Sequence, residues 1–113
     1  MFKTAVGDIV QVPVKFTQKD GAQVRKFEFT LTAKKASWDD YRDARDGDPM
    51  LDVIRDYLKD HVTDWSGQRF VLLENNEPAP FSAEAFDYML KQPGLMGIVF
   101  KAHTTECGGK EKN

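Results

Sequence analysis

Residues Asp64–Leu90 read DWSGQRFVLLENNEPAPFSAEAFDYML, and the way this stretch divides into elements decides the fold. Trp65 ends an apolar stripe that begins upstream, and Gly67 stops it. Phe70–Leu73 is a short apolar run that fits a brief strand. Glu74-Asn75-Asn76-Glu77, with Pro78 and Pro80, carries the residues of a turn-rich loop. Ser82 then fits a helix N-cap, because its hydroxyl can accept from a free amide in the first turn, and Phe81 before it can fold back as a hydrophobic staple. Ala85, Phe86, Met89 and Leu90 fall on one helical face. Pro93 and Gly94 break that helix.

Upstream of this stretch, Leu51, Ile54, Leu58, Val62 and Trp65 follow one another at spacings of 3, 4, 4 and 3. That pattern predicts a helix from Met50 to Trp65, with Asp52, Arg55, Asp56, Lys59 and Asp60 mostly off its apolar stripe. Asp48 and Pro49 fit its cap and first position, after Gly47 ends a shorter helix. The shorter helix is capped by Ser37 and has Asp39 and Asp40 in its first turn, where the helix dipole favours negative charge. Trp38 and Tyr41 share one of its faces.

Further toward the N-terminus the period changes to two. Val10, Val12, Val14 and Phe16 alternate with Gln11, Pro13 and Lys15; Arg25, Phe27, Phe29 and Leu31 alternate with Lys26, Glu28, Thr30 and Thr32. Gln18-Lys19-Asp20-Gly21 supplies turn chemistry between them, so residues 8–33 read as a β-hairpin. Pro13 cannot donate to a ladder, which places its strand at an edge or at a bulge. A lone hairpin is marginal in water, so its aromatic face must pack on helices or on another chain. Downstream, Pro93 fits a first helical position, and Leu95, Ile98, Val99 and Ala102 predict a last helix to about residue 104. The expected architecture is α+β: an N-terminal antiparallel hairpin followed by about four short-to-medium helices, forming one domain over 1–107 with a flexible tail at 108–113.

The chain has 113 residues, 41% of them hydrophobic and 30% charged, which fits one domain burying a modest core without covalent staples. A net charge of −2 argues against a sequence-independent nucleic-acid binder, which needs a cationic face, and Lys34-Lys35 is too small for such a footprint. No apolar run approaches the roughly 20 residues of a membrane helix, and MFKTAVGDIVQV lacks the apolar core of a signal peptide. Cys107 is the only cysteine, so there is no intrachain disulfide and no cysteine-based metal cage. A reducing, cytoplasmic setting is the natural reading.

Few residue patterns in the chain point to chemistry. His61 and His103 lie on different predicted helices, outside any paired metal-ligand spacing. If the last helix runs far enough, His103 and Cys107 share a face, but a thiolate–imidazole nucleophile also needs an orienting group and a pocket. Asp39, Asp40, Asp43, Asp46 and Asp48 form the best cation candidate. Their spacing is wrong for a calcium loop, and Arg42 and Arg45 interrupt them, which describes a solvated helix face. No Gly-rich phosphate loop, serine elbow or recognisable carboxylate pair occurs. A catalyst is therefore not expected, and no cofactor or metal. What stands out is aromatic supply: Trp38, Trp65, Phe27, Phe29, Phe70, Phe81, Phe86 and Phe100 exceed what a few short helices easily hide, and aromatic residues are enriched in interface cores.

Taken together, Val62-Thr63-Asp64-Trp65-Ser66-Gly67, an acidic loop, and Glu77-Pro78-Ala79-Pro80-Phe81-Ser82-Ala83-Glu84-Ala85-Phe86, ending in Met89-Leu90 and Pro93, resemble the tail assembly chaperones of long-tailed bacteriophages. Phe27-Glu28-Phe29-Thr30-Leu31-Thr32-Ala33 is similar to that family's Phe/Leu-rich second strand. About thirty residues carry the likeness in detail; Lys34-Lys35 stands where the family pattern has an arginine, and the apolar Phe70–Leu73 run is unusual for its loop. The resemblance implies a non-catalytic protein of the host bacterial cytoplasm, absent from the finished virion. It implies binding of the tape measure protein, a further role in recruiting tail tube subunits, self-association, and no nucleic-acid or membrane partner. Family members are often extended by a ribosomal frameshift near the C-terminus, and Gly109-Lys110 is compatible with a slippery codon run. Phe27, Phe29, Trp65, Phe70 and Phe81 are the candidate partner-binding residues. The competing readings are a small inhibitor- or immunity-like partner-binding module, and a metal-dependent or thiol enzyme built on the Asp39–Asp48 cluster or Cys107.

Overall fold

Alternation in the first third of the chain produces two long strands, β1 (Ile9–Asp20) and β2 (Gln23–Lys34). The computed structural model describes residues 1–47 and 50–108. The strands pair antiparallel from Ile9↔Lys34 to Asp20↔Gln23, leaving Gly21 and Ala22 as a two-residue connection. Gly21 sits at φ +64°, a left-handed conformation open to glycine without a Cβ penalty. The register sets Val12 opposite Leu31, Val14 opposite Phe29 and Phe16 opposite Phe27, so one face of the ribbon is apolar along most of its length. Pro13 lies on β1, which is the edge of a three-stranded sheet ordered β1-β2-β3. The hairpin and the edge position of Pro13 thus agree with the sequence reading.

The third strand does not. The helix expected over Met50–Trp65 ends at His61: α2 is Met50–His61, and β3, Val62–Ser66, pairs antiparallel with β2. Ala33 pairs with Val62 but Thr32 pairs with Asp64, so Thr63 is an extra residue in a β-bulge. The bulge brings Val62 and Trp65, three residues apart, to the buried side. A bulged strand therefore mimics the spacing of a helical stripe. Leu51, assigned to that stripe, is instead 61% exposed, while Tyr57, outside it, is buried.

The other helices follow their signals more closely. Helix α1 is Trp38–Asp46, with the Ser37 hydroxyl accepting from the Asp40 amide. Helix α3 is Ala83–Leu90, with the Ser82 hydroxyl accepting from the Ala85 amide. The staple is present: the Phe81 and Phe86 rings, before the cap and in the first turn, lie 5.8 Å apart. Helix α4 begins at Leu95 rather than Pro93, because Gly94 takes φ +78° as its N-cap, and it runs to Cys107, beyond the expected end. Phe70–Leu73 forms no strand; Leu72 makes one isolated bridge to Pro78. The assignments of Asp48 and Pro49, and of the tail at 109–113, lie outside the described residues.

The helices pack onto the sheet, with α4 along β1 and α2 against β3. Two aromatic clusters anchor the core. Phe70 meets Phe16 and Phe27 edge-on at 5.1 and 4.9 Å, and Trp65 meets Phe81 edge-on at 5.2 Å. Gln68 is also buried. Its amide nitrogen donates to the carbonyls of Val71 and Ala79, and its oxygen accepts from the amides of Phe70 and Val71. One side chain thus supplies the hydrogen bonds of a loop with no regular ladder. Between α1 and α2 the backbone passes so close that a Cβ on Gly47 would lie 2.6 Å from Val53 Cγ1 and 2.8 Å from Val53 Cβ. Gly47→Ala is expected to destabilise the fold by about 1–3 kcal/mol, seen as a lowered urea midpoint.

Candidate functional site

At the end of β2 the chain turns through Lys35 and Ala36 into α1, and beside that turn α1, α2 and α4 enclose a cleft of about 260 Å³. Trp38, Tyr41, Tyr57 and Cys107 line it. Trp38 follows the cap residue, and there its indole stays 63% exposed. The Arg45 guanidinium lies 5.8 Å from the Trp38 ring and 5.6 Å from the Tyr41 ring, close enough for cation–π attraction. On its other side Tyr41 stacks on Phe100 of α4 at 5.8 Å. Three of the lining side chains are aromatic, and the Arg45 cation lies against two of them.

Beneath the cleft lies a polar cluster that the sequence did not announce. His103 is fully buried. Its Nε2 lies 2.8 Å from the Lys34 carbonyl oxygen and its Nδ1 lies 3.0 Å from the Tyr57 hydroxyl. A carbonyl can only accept, so Nε2 carries the proton and the Tyr57 hydroxyl donates to Nδ1. His61 stacks on Tyr57 at 4.3 Å, donates from Nδ1 to the Tyr57 carbonyl, and holds Nε2 3.9 Å from Asp40. The two histidine rings, placed on separate helices by the sequence, come within 5.6 Å. Cys107 Sγ lies 3.3 Å from His103 Nε2, because α4 does run far enough for the two to share a face.

This geometry decides what the thiol can do. The Nε2 proton is already directed at Lys34, so His103 has no free lone pair toward sulfur. Burial lowers the His103 pKa below the ordinary 6.5, and nearby His61 lowers it further, although the bond to Lys34 opposes this. Burial raises the Cys107 pKa, against smaller opposing effects of the Ala36 backbone and Lys35. Burial also raises the Tyr57 pKa, helped by the nearby Cys107 and Asp40. All three groups are neutral at pH 7. The raised Cys107 pKa disfavours the thiolate, and the hydrogen bonds of His103 to Tyr57 and to the Lys34 carbonyl join α4 to α2 and β2.

The acidic candidates do not gather. Arg42 pairs with Asp39 at 3.3 Å and Asp43 at 3.8 Å, and Arg45 pairs with Asp46 at 3.0 Å. The Arg45 bond holds the Asp46 carboxyl below its usual range. Asp40 faces His61 instead, and Asp48 lies outside the described residues. Among the described residues no three His, Cys, Asp or Glu side chains come together to hold a metal.

The five aromatic candidates for partner binding divide unequally. Phe29 and Trp65 are 4% and 8% exposed and belong to the core, where the Trp65 indole N–H donates to the Ala79 carbonyl. Phe27, Phe70 and Phe81 are half-buried against the same core. Neither Phe29 nor Trp65 offers a surface in this conformation. Apolar surface is exposed elsewhere: at Trp38, at Met50 and Leu51 where α2 begins, and at Leu72, Leu73 and Tyr88. Trp38 and the Leu72-Leu73 run were visible as apolar residues in the sequence. Nothing local marked them as surface.

Fold and site together define an α+β domain with a neutral, hydrogen-bonded interior and open aromatic and aliphatic surface. No family model matches the chain, and neither a curated protein nor a solved structure matches it. Among the described residues, no helix is long and apolar enough to cross a membrane.

Proposed function

We propose that this chain is a non-catalytic tail assembly chaperone of a long-tailed bacteriophage. It binds the tape measure protein in the host bacterial cytoplasm, keeps it soluble until the tail tube covers it, recruits tail tube subunits, and is left out of the finished virion. The observation that supports this reading is the aromatic cleft. Trp38 stands open at its mouth, Tyr41 and Tyr57 form its walls, and the ionisable groups beneath are neutral. A long helical partner with an exposed apolar stripe presents side chains at helical spacing, and a cleft of this kind takes one or two of them as anchors. Shielding that stripe removes the apolar patch that would otherwise drive aggregation. Many such contacts along one extended partner add up by multivalency. The order of elements from Val62 to Leu90 and the Phe-rich second strand carry the likeness to the phage family.

The test is co-expression with a fragment of a phage tape measure protein. The fragment is expected to move from the insoluble to the soluble fraction and to co-purify with the chain. A fragment that stays insoluble in the presence of abundant folded chain would count against the proposal.

A further inference from the structure

Residues 1–8 form an arm outside the regular elements. Met1 and Phe2 are fully exposed, Val6 is 64% exposed, and none of the three belongs to the core. A local bond bends the arm: the Thr4 hydroxyl donates to the Val6 carbonyl. A Cβ on Gly7 would meet nothing within 4 Å, so the arm is unpacked where it joins β1.

The base of the arm is fixed, and it is fixed beside the aromatic cleft. The Asp8 carbonyl accepts from the Lys35 amide, and the next residue, Ala36, lines the cleft. Phe2 stands six residues before Asp8, a reach of up to roughly 20 Å in extended chain. The cleft offers a matching surface, because Trp38, Tyr41 and Tyr57 line it and the Trp38 indole is largely exposed. Rings of this kind take an incoming aromatic ring edge-on or offset. A second apolar groove, between the 71–79 loop and α3, is out of range. It begins at Val71, next to Phe70, which packs on Phe16. Phe16 lies eight residues along β1 from Asp8, about 26 Å in a strand.

We infer that the N-terminal arm folds back over the cleft of its own chain and sets the Phe2 ring against Trp38. The tether holds Phe2 at an effective concentration in the millimolar range, so a weak contact between rings is populated. A partner entering the cleft must displace the ring, and its apparent affinity falls in proportion to the fraction of molecules left open. That gating role rests on the cleft being the docking site proposed above; the seating of the arm does not.

Acrylamide quenching of Trp38 emission tests the seating, in a Trp65→Phe chain that has no other indole. Phe2→Asp is expected to raise the quenching constant about twofold, because it empties the closed state. The rise is the same at every protein concentration, since the contact lies within one chain. Phe2→Tyr keeps a ring and is expected to leave the quenching unchanged. Phe2 lies outside the core, and circular dichroism checks that each chain folds. Titration with a soluble helical segment of a phage tape measure protein then tests the gate, and Phe2→Asp is expected to bind tighter by the same factor. Unchanged quenching in Phe2→Asp overturns the inference. So does a difference confined to high protein concentration, which would seat the arm in a second copy. Equal affinity of the two chains for the segment overturns the gate. The quenching needs no partner, so a segment that binds neither chain tells against the phage reading alone.

Discussion

Replacing Trp65 by alanine is expected to lower the unfolding free energy by about 3–5 kcal/mol, a large part of what a domain of this size has. Trp65 is the last inward residue of β3 and packs edge-on against Phe81 at 5.2 Å and Phe86 at 6.4 Å. It thereby ties the sheet to the loop and to the first turn of α3. The truncation leaves a cavity bordered by the Phe81 and Phe86 rings, which already pack on each other at 5.8 Å, and this limits how far the site can collapse. Trp65→Phe keeps most of the ring contact and loses the bond to the Ala79 carbonyl, which still accepts from Gln68. It is expected to cost about 0.5–1.5 kcal/mol for the lost hydrogen bond. Urea unfolding of both variants separates these values. A Trp65→Ala cost near that of Trp65→Phe would mean that the indole does not bridge the sheet and α3.

The second large effect is a loss of stability in acid centred on His103. The ring is buried, and its folded-state pKa lies below the unfolded value of 6.5. The unfolded chain therefore binds the proton more readily. The stabilisation is fully present above pH 6.5 and is lost as pH falls from there through the lowered folded-state value. Protonation also places a donor at Nδ1 facing the Tyr57 hydroxyl, so that bond must reverse or break. Three titratable side chains face the ring: the Tyr57 hydroxyl at 3.0 Å, the Cys107 thiol at 3.3 Å and the His61 ring at 5.6 Å; Asp40 and Tyr41 lie near Tyr57, and Lys35 and Glu106 near Cys107. His103→Gln offers an uncharged donor and acceptor in a similar space and is expected to flatten the profile. His103→Ala leaves the Tyr57 hydroxyl and the Lys34 carbonyl without this partner and is expected to cost about 2–5 kcal/mol at neutral pH. Melting temperature measured from pH 8 to pH 5 distinguishes the three chains. An equally steep decline in His103→Gln would assign the effect to other groups.

These two sites also mark how far the sequence could be read. The hairpin was legible because Val12, Val14 and Phe16 alternate strictly against Leu31, Phe29 and Phe27, with Gly21 at the turn. The α3 start was legible because its cap and staple are local: Ser82 bonds three residues ahead and Phe81 packs five residues ahead. The Trp65 strand was misread for a physical reason. Thr63 bulges out of β3, so Val62 and Trp65 reach the core at a spacing of three, which periodicity assigns to a helix. Nothing local could disclose the Tyr57–His103 bond, which joins residues 46 apart, or the four hydrogen bonds of Gln68, an ordinary loop residue in the sequence. The abundance of aromatic residues was visible, but their division between core and surface depends on tertiary packing. Trp65 went inside while Trp38, at the first turn of α1, stayed out.

That division makes the proposed function directly measurable. The chain has two tryptophans, and Trp65→Phe leaves Trp38 as the sole indole, standing at the mouth of the aromatic cleft. Titrating this variant with a soluble helical segment of a phage tape measure protein, while recording indole emission, reads the cleft itself. The account predicts a saturable blue shift as the partner's apolar side chains exclude water from Trp38, and its loss in Tyr41→Asp. An emission spectrum that stays unchanged at concentrations where the segment binds the chain would contradict the cleft as the docking site; absence of any binding would contradict the chaperone reading.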